Sequence, residues 1–484
     1  MKLRPTITVV AILLTQIGLG GARAQSQEID VKALLRRIEE LEQKVKILEG
    51  KRSSNDFVEL EQKVKTLERD RELDQAAAAG KASTGSVDAK LKASGSIFKT
   101  PDWVTSVKLM NDLRIRYDEI FAPDSDFVTR WRVRPRLRLG GIATLKDDFE
   151  IGVRLASTPS VGKDSGGDPL STNQTFEDNG SRKPVGIDWA FARWTPIHTP
   201  KWTGSFAVGK LENPPNYTEN VFDVDYTPEG LVEQFFYKAN TNHTISTYLG
   251  QYVLDEQQFS NQDPLLFLEQ LRLDSRWGQR VNTAFTISGL SIANPESLTT
   301  ASVPDSNHGN TRDATGMLVN DYHLLIADGS VTYNLDSFPL YNGPFPIKLS
   351  GEYIHNFGAS RDNTAYSFGP SFGRVSQTGR GQKGNWEISY RYQELHGDAN
   401  YEELTASDNG AFYRSRPVGE PYGAFRPTFL NGLNLRGHAF RVAYAPFDFL
   451  VLDARVWLNE TIRVESAVDK VEGVRLLFDL VWKF

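Results

Sequence analysis

Five arginines occupy every second position from 130 to 138: Arg130, Arg132, Arg134, Arg136 and Arg138. Between and after them stand Trp131, Val133, Pro135, Leu137 and Leu139. A strand sends alternate side chains to opposite faces, so this spacing puts all five guanidiniums on one face. A helix would scatter them around its circumference. No soluble core could lie behind such a face. The chemistry open to it is electrostatic. A guanidinium stays charged when partly desolvated and offers several donors to an anion. A ladder of such groups along a pore biases the pore towards anions.

The same parity collects more arginines. Arg114 and Arg116 share it on the preceding segment and Arg154 on the following one. Late in the chain Arg391, Arg441, Arg455 and Arg475 share it too. If the first and last strands meet, these residues form one continuous basic wall. Asp112, Asp118, Glu150, Asp188, Asp453 and Asp479 fall on the same face and are candidates to neutralise part of it. A second constellation lies in residues 212–229. It holds Glu212, Glu219, Asp223, Asp225 and Glu229, with Pro214, Pro215 and Pro228 to stiffen the backbone. Folded inward, these acids would face the arginines across a narrow opening. The local field there would select solutes by size and charge.

Catalytic chemistry has little to stand on. The chain contains no HExxH, no G-x-S-x-G and no P-loop pattern. Its 7 histidines are scattered, and there are no cysteines. His438 and Ser389 could be hydrolase parts, but lone residues like these read as ordinary strand or loop positions. No metal site and no cofactor is expected.

The elements that must position the arginines are strands. From Trp103 onward the period is two. Val107, Leu109, Leu113, Ile115 and Tyr117 alternate with Lys108, Asp112, Arg114, Arg116 and Asp118. Similar stretches follow at 185–195, 201–211, 230–239, 243–255, 264–275, 281–291, 320–335, 346–357, 364–375, 384–396, 434–445, 448–460 and 470–484. With the first three they make about sixteen, an even number as bacterial barrels require. The last stretch is the sharpest. Val474, Leu476, Phe478, Leu480, Trp482 and Phe484 form an apolar row that ends in aromatics, suited to lipid and its interface. Long connections at 157–184, 212–229, 292–319 and 397–433 alternate with short turns. Those turns fall at Thr144–Asp148, Pro196–Pro200, Asn240–Asn242, Arg276–Arg280 and Pro446–Phe447. With the long ones outside, both chain ends lie in the periplasm.

Net charge is −6 and mean hydropathy −0.40. The charge argues against a nucleic-acid partner. A barrel needs only every second residue apolar, which reconciles a polar average with a membrane protein. Residues 1–24 read as a signal peptide, with Lys2 and Arg4, an apolar run from Ile7 to Leu19, and Ala22-Arg23-Ala24 at the cleavage site. Residues 25–73 read as a coiled coil. Leu34, Ile38, Leu41, Val45 and Leu48 keep seam spacing, and Phe57, Leu60, Val64 and Leu67 resume it after a capping box at Asp56 and Glu59. Its core chemistry favours a dimer. Residues 74–102 read as a linker and 103–484 as the barrel.

These features together resemble the outer-membrane porin family of Gram-negative bacteria. The resemblance rests on the signal peptide, the Glu/Leu-rich coiled coil, Trp131 to Gly140, the Asp147-Asp148 turn before Gly152 to Ala156, Gly209 to Pro214, Asp223 to Gly230, and the terminal Phe484. Pro215 and Pro135 depart from the family pattern. The phosphate-selective porins are similar in their basic interior. The resemblance implies a trimer in outer-membrane lipid. It also implies a final strand, ending in Trp482 and Phe484, that the barrel-assembly machinery reads. The expected fold is all-β, a transmembrane antiparallel β-barrel preceded by an α-helical coiled coil. The expected function is passive diffusion of small hydrophilic solutes, with anions preferred. A non-conducting envelope anchor working through the coiled coil, or a phosphate-type anion channel, are the alternatives.

Overall fold

In the computed structural model the described residues are 100–121, 129–159, 167–258, 260–300, 302–303, 309–376, 382–413, 429–463 and 472–484. The expected signal peptide, the coiled coil and all but the end of the linker lie outside them.

The strands are β1 (Val104–Leu109), β2 (Asp112–Phe121), β3 (Arg130–Leu145), β4 (Phe149–Ser157), β5 (Val185–His198), β6 (Trp202–Lys210) and β7 (Glu229–Lys238). Then follow β8 (His243–Val253), β9 (Leu265–Trp277), β10 (Val281–Ala293), β11 (His323–Leu335), β12 (Phe345–Asn356), β13 (Thr364–Gly373) and β14 (Trp386–Leu395). Last come β15 (Gly410–Tyr413), β16 (Phe429–Asn431), β17 (Leu435–Phe447), β18 (Leu450–Thr461) and β19 (Glu472–Lys483).

β1 and β2 pair in succession along β3, with Leu109 opposite Gly141 and Asp112 opposite Arg138. They are one strand interrupted at Met110 and Asn111. The interruption is satisfied locally, since the Asn111 side chain accepts from the Gly140 N–H at 2.9 Å. Gly140 must be glycine here, because a Cβ would lie 2.2 Å from the Val153 carbonyl oxygen. β15 and β16 pair only with each other. Counting the interrupted strand once, the main sheet has sixteen antiparallel strands. β19 pairs with β2 from Lys483↔Asp112 to Val474↔Phe121, which closes the sheet into a barrel. Closure removes the edges that would otherwise expose unpaired backbone groups.

The two faces differ as alternation demands. On β3, Trp131, Leu137 and Leu139 are exposed at 67%, 37% and 44%, whereas Arg134, Arg136 and Arg138 are at 8%, 5% and 6%. On β19 every residue of the Gly473–Lys483 odd-numbered row is buried, and the even-numbered row is not. The outer face is therefore apolar and the inner face polar, the inverse of a soluble protein and the arrangement lipid requires. Beside the short turns sits a belt of aromatics. Trp202 packs on Tyr237 at 4.4 Å, Phe149 on Trp194 at 5.7 Å and Phe447 on Phe449 at 5.3 Å.

Some boundaries differ from the sequence reading. β17 runs through Pro446 and Phe447, so the turn is Asp448–Phe449. β9 includes Arg276 and Trp277, where the indole donates to Thr283 at 2.9 Å and extends the ladder. The connections 336–344 and 374–385 are longer than the opposite-end connection 357–363. The first is built around Phe338, stacked on Phe345 at 4.2 Å and edge-on to Trp386. Pro135 removes no strand-to-strand hydrogen bond. On that side β3 meets residues 174–176 of a loop, with the Gln174 N–H donating to the Pro135 carbonyl at 2.9 Å.

The interior is not empty. Val221, Phe222 and Tyr226 of the connection after β6 pack with Tyr401 and Leu404 of the connection after β14 and with inward Trp189, Tyr252 and Leu268. Two loops thus supply an apolar core inside a polar-walled barrel.

Candidate functional site

The inner face of β2 to β5 and β17 to β19 carries a lattice of ion pairs. Arg116 donates to Asp479 at 2.8 and 2.9 Å and to Asp408 at 2.7 Å. Arg475 binds Asp118 at 3.1 Å and Asp408 at 3.0 Å. Arg132 contacts Asp118 at 2.7 Å and Arg134 contacts it at 3.5 Å. Arg136 binds Asp112 at 2.7 Å, and Arg154 binds Asp188 at 2.5 Å. Arg441 and Arg455 share Asp453 at 2.6 and 3.2 Å. Arg114 donates to Asn173 at 2.6 Å. Arg130 opens β3 on the same parity. Each of the six acids expected on this face has an arginine partner; for Glu150 it is Arg193, at 2.9 Å. A buried charge is tolerated only when paired and hydrogen-bonded, which accounts for the density of pairing.

The connection 211–228 is tied into this lattice. Asp225 accepts from Arg138 at 2.7 Å and from Arg136 at 3.3 Å. Glu219 accepts from Arg455 at 3.0 Å. Glu212 accepts from Arg193 at 2.9 Å. The expected gap between acids and arginines is therefore absent at these positions, where the two sets touch. Glu229 corrects another expectation. It is the first residue of β7, on the outward parity, and pairs with Lys210 at 2.9 Å.

A second loop completes the assembly, and its residues carried no periodic signal in the sequence. Asn400 donates to the carbonyls of Asn220 and Val221 at 3.2 and 3.0 Å. The Asp223 N–H donates to the Leu404 carbonyl at 2.7 Å, and the Ala406 N–H to the Glu219 carbonyl at 2.9 Å. Residues 397–409 thus dock on 211–228, and Asp408 anchors the pair to Arg116 and Arg475. An excess of Asp, Asn and Glu in 398–409 was the available clue.

Asp223 and Asp225 sit two residues apart but differ in partners. Burial alone would raise the Asp225 carboxyl, but Arg138 and Arg136 outweigh it and hold the group well below the usual carboxylate range. Asp223 accepts from the backbone N–H groups of Asp225 and Ser407 at 2.7 and 3.2 Å. Burial, with Asp225 and Asp408 nearby, pushes its carboxyl well above the usual range. The fold therefore favours neutral Asp223. Its cost is absent in acid and grows as pH rises from the usual carboxylate range through the raised value. Asp225 behaves oppositely: its contribution is present above the usual range and is lost only as pH falls through its lowered value. Asp223→Asn is expected to remove the loss of Tm that sets in as pH rises above the usual carboxylate range. An unchanged slope would remove Asp223 as its source.

On the other side of the loop pair lies a cavity of about 490 Å³. It is bordered by Asn216 to Asn220, by the inner faces of β11 to β14, by Thr405, Ala406 and Asn409, and by a few residues of β9, β17 and β18. Of the twelve arginines expected along the wall, Arg391, Arg441 and Arg455 border it and the other nine do not. Arg272 and Lys348 border it as well and were not singled out from the sequence. Both lie on middle strands, where alternation alone puts them on the inner face. Ser389 faces this cavity, whereas His438 is on the outer face with its ring 2.9 Å from the Tyr390 hydroxyl. The two cannot act together. Among the described residues no group of three or more His, Asp or Glu side chains could hold a metal ion.

Residues 124–294 match a family model described as "putative porin". No curated protein matches the chain. Among solved structures the chain is similar to OprB of Pseudomonas putida in its high-pH form, at 8% identity and a TM-score of 0.46, covering 78% of this chain and 94% of that one. It is also similar to the outer membrane channel DcaP of Acinetobacter baumannii, at 11% identity and a TM-score of 0.40, covering 80% and 99%. The trimer form of OmpT of Vibrio cholerae gives 9% identity and a TM-score of 0.38, covering 78% and 100%.

Proposed function

We propose that this barrel is an outer-membrane porin through which small hydrophilic solutes diffuse, with anions preferred. The observation that carries the reading is the 490 Å³ polar cavity held between the loop pair and the strands of a closed barrel with an apolar outside. The family match over 124–294 supports the class. The reaction is transport alone, so no bond is made or broken and no cofactor is needed. Anion preference rests on the cations that border the cavity, Arg272, Lys348, Arg391, Arg441 and Arg455, against Glu219, Asp328, Glu352 and Glu387. The paired arginines of β2 and β3 serve in this reading to hold the narrowing loops. The coiled coil would stand in the periplasm, the barrel-assembly machinery would read the final strand at Trp482 and Phe484, and a homotrimer in outer-membrane lipid would be the working form.

The packed loop pair favours one other reading, a plugged barrel that anchors a periplasmic coiled coil. Planar-bilayer recording of the refolded full chain under a potassium chloride gradient separates them. The porin reading expects stable open steps and a reversal potential on the chloride side. Folded β-structure that conducts nothing would transfer the function to the coiled coil. Conductance with no preference for chloride would remove the anion preference and leave the pore.

A further inference from the structure

We propose that the cavity is a binding site for a singly charged, polyhydroxylated organic anion, a sugar acid, whose carboxylate is held by Lys348 and Arg391. The proposal rests on the pore reading above and names the solute class of that same cavity.

Three of the five cations at the cavity already have counter-ions. Arg272 forks onto Asp274 at 2.7 and 2.8 Å. Arg441 is held by Glu387 and Asp453, both at 2.6 Å. Arg455 is held by Glu219 at 3.0 Å and Asp453 at 3.2 Å. Lys348 and Arg391 form no ion pair and no hydrogen bond among the described residues, and both border the open space. The charges that act most on Lys348 are Arg391, Arg272 and Arg374, with Asp328 opposing them. Two like charges facing one cavity with no carboxylate in ion-pair contact among the described residues repel each other, and a bound anion relieves that repulsion.

The surface between them suits a carboxylate. Lys348 lies opposite Ser371, and Ser371 opposite Ser389. Arg391 is the next inward residue of β14 after Ser389. Gly369 lets β13 and β14 approach closely at this point, since a Cβ there would fall 1.9 Å from the Tyr390 carbonyl oxygen. No side chain can occupy that position without moving the backbone. The hydroxyls of Ser330, Ser350, Ser371 and Ser389 border the same space.

The acids set the rest of the ligand. Asp328 and Glu352 lie directly opposite each other on β11 and β12 and border the cavity. Glu352 is fixed by Thr218 at 2.6 Å and Asn220 at 3.0 Å. Carboxylates so placed accept hydrogen bonds from ligand hydroxyls and repel a second negative charge. A neutral sugar would leave both cations unneutralised. A dianion would bring charge against Asp328 and Glu352. One carboxylate followed by a chain of hydroxyls satisfies both sides.

The probe is gluconate, titrated into the refolded full-length protein by calorimetry, with glucose and the dianion glucarate as comparators. Saturable gluconate binding is expected, stronger than that of either comparator. Lys348→Gln and Arg391→Gln are each expected to weaken it about tenfold, the loss of one charge-assisted hydrogen bond. Neither residue has an ion-pair or hydrogen-bond partner among the described residues to orphan, and heat-modifiability on gels checks that both variants fold. In bilayers gluconate should reduce the chloride current of the parent and not of the double variant. No saturable binding, equal binding of glucose, tighter binding of glucarate, or binding indifferent to both substitutions would overturn the assignment. A protein that conducts without binding gluconate sinks this proposal alone. One that binds gluconate without conducting sinks the pore reading instead.

Discussion

Asp225→Ala is expected to open the pore. Its carboxylate is the shared acceptor of Arg136 and Arg138, and it also accepts from the Thr172 hydroxyl at 3.1 Å. Removing it leaves two guanidiniums, only 5% and 6% exposed, with one acceptor fewer. Breaking a buried pair from one side costs ~3–5 kcal/mol, because the remaining charge stays desolvated. The barrel ladders do not pass through Asp225, so the loss falls on the docking of 211–228. That loop carries 397–409 with it, through Asp223 to Leu404 and Glu219 to Ala406. Single-channel conductance should rise severalfold and become noisier, while far-UV circular dichroism stays that of a folded barrel. Asp223→Asn is the control. It removes a carboxyl that no arginine holds, and its conductance should match the parent. A parent-like conductance for Asp225→Ala would show that the loop is held by its apolar core alone.

The apolar core deserves that weight in the comparison, because Val221 and Phe222 are exposed at 0% and 2%. It is also where sequence reading stopped. Strands were legible because lipid on one side and polar space on the other force a strict period of two. The meeting of β19 with β2 followed from closure, since the last strand must meet the first, whereas its register, from Lys483↔Asp112 to Val474↔Phe121, did not. The arginine parity of β3 and the acids that neutralise it were legible for the same reason. Loops obey no period. Asp225 could be placed in an acidic segment, but not against Arg136 and Arg138, because their meeting depends on a backbone path set by Asn213, whose side-chain amide donates to the Asp223 and Tyr226 carbonyls at 2.6 and 2.9 Å. The role of 397–409 was hidden further, since its partners lie about 180 residues upstream. Lys348 was within reach. It shares the parity of Ser350 and Glu352 on a strand whose limits were nearly right, and one more application of alternation would have put it on the inner face.

Arg116→Met is expected to be the most destabilising single change at the seam of the barrel, and adding Asp479→Leu is expected to recover most of the loss. Arg116 is 2% exposed and lies directly opposite Asp479 where β2 meets β19. Its fork binds both Asp479 oxygens, and its third donor reaches Asp408. With the arginine gone, Asp479 keeps only the more distant Arg114, at 3.8 Å, among its described ion pairs. An acid stranded in this way costs ~3–5 kcal/mol. Asp408 fares better, because Arg475 still holds it at 3.0 Å. In the double variant neither seam charge remains to be desolvated, and two apolar side chains of comparable length fill the space. Replacing a buried pair in this manner is often close to neutral. Urea unfolding in detergent micelles, followed by tryptophan fluorescence, gives both numbers. If the double variant is as unstable as the single, the pair contributes net attraction to closure rather than mutual neutralisation. The inner lattice would then be what draws the first and last strands together, and the loop pair would be docked on a wall that its own anchoring residues help to build.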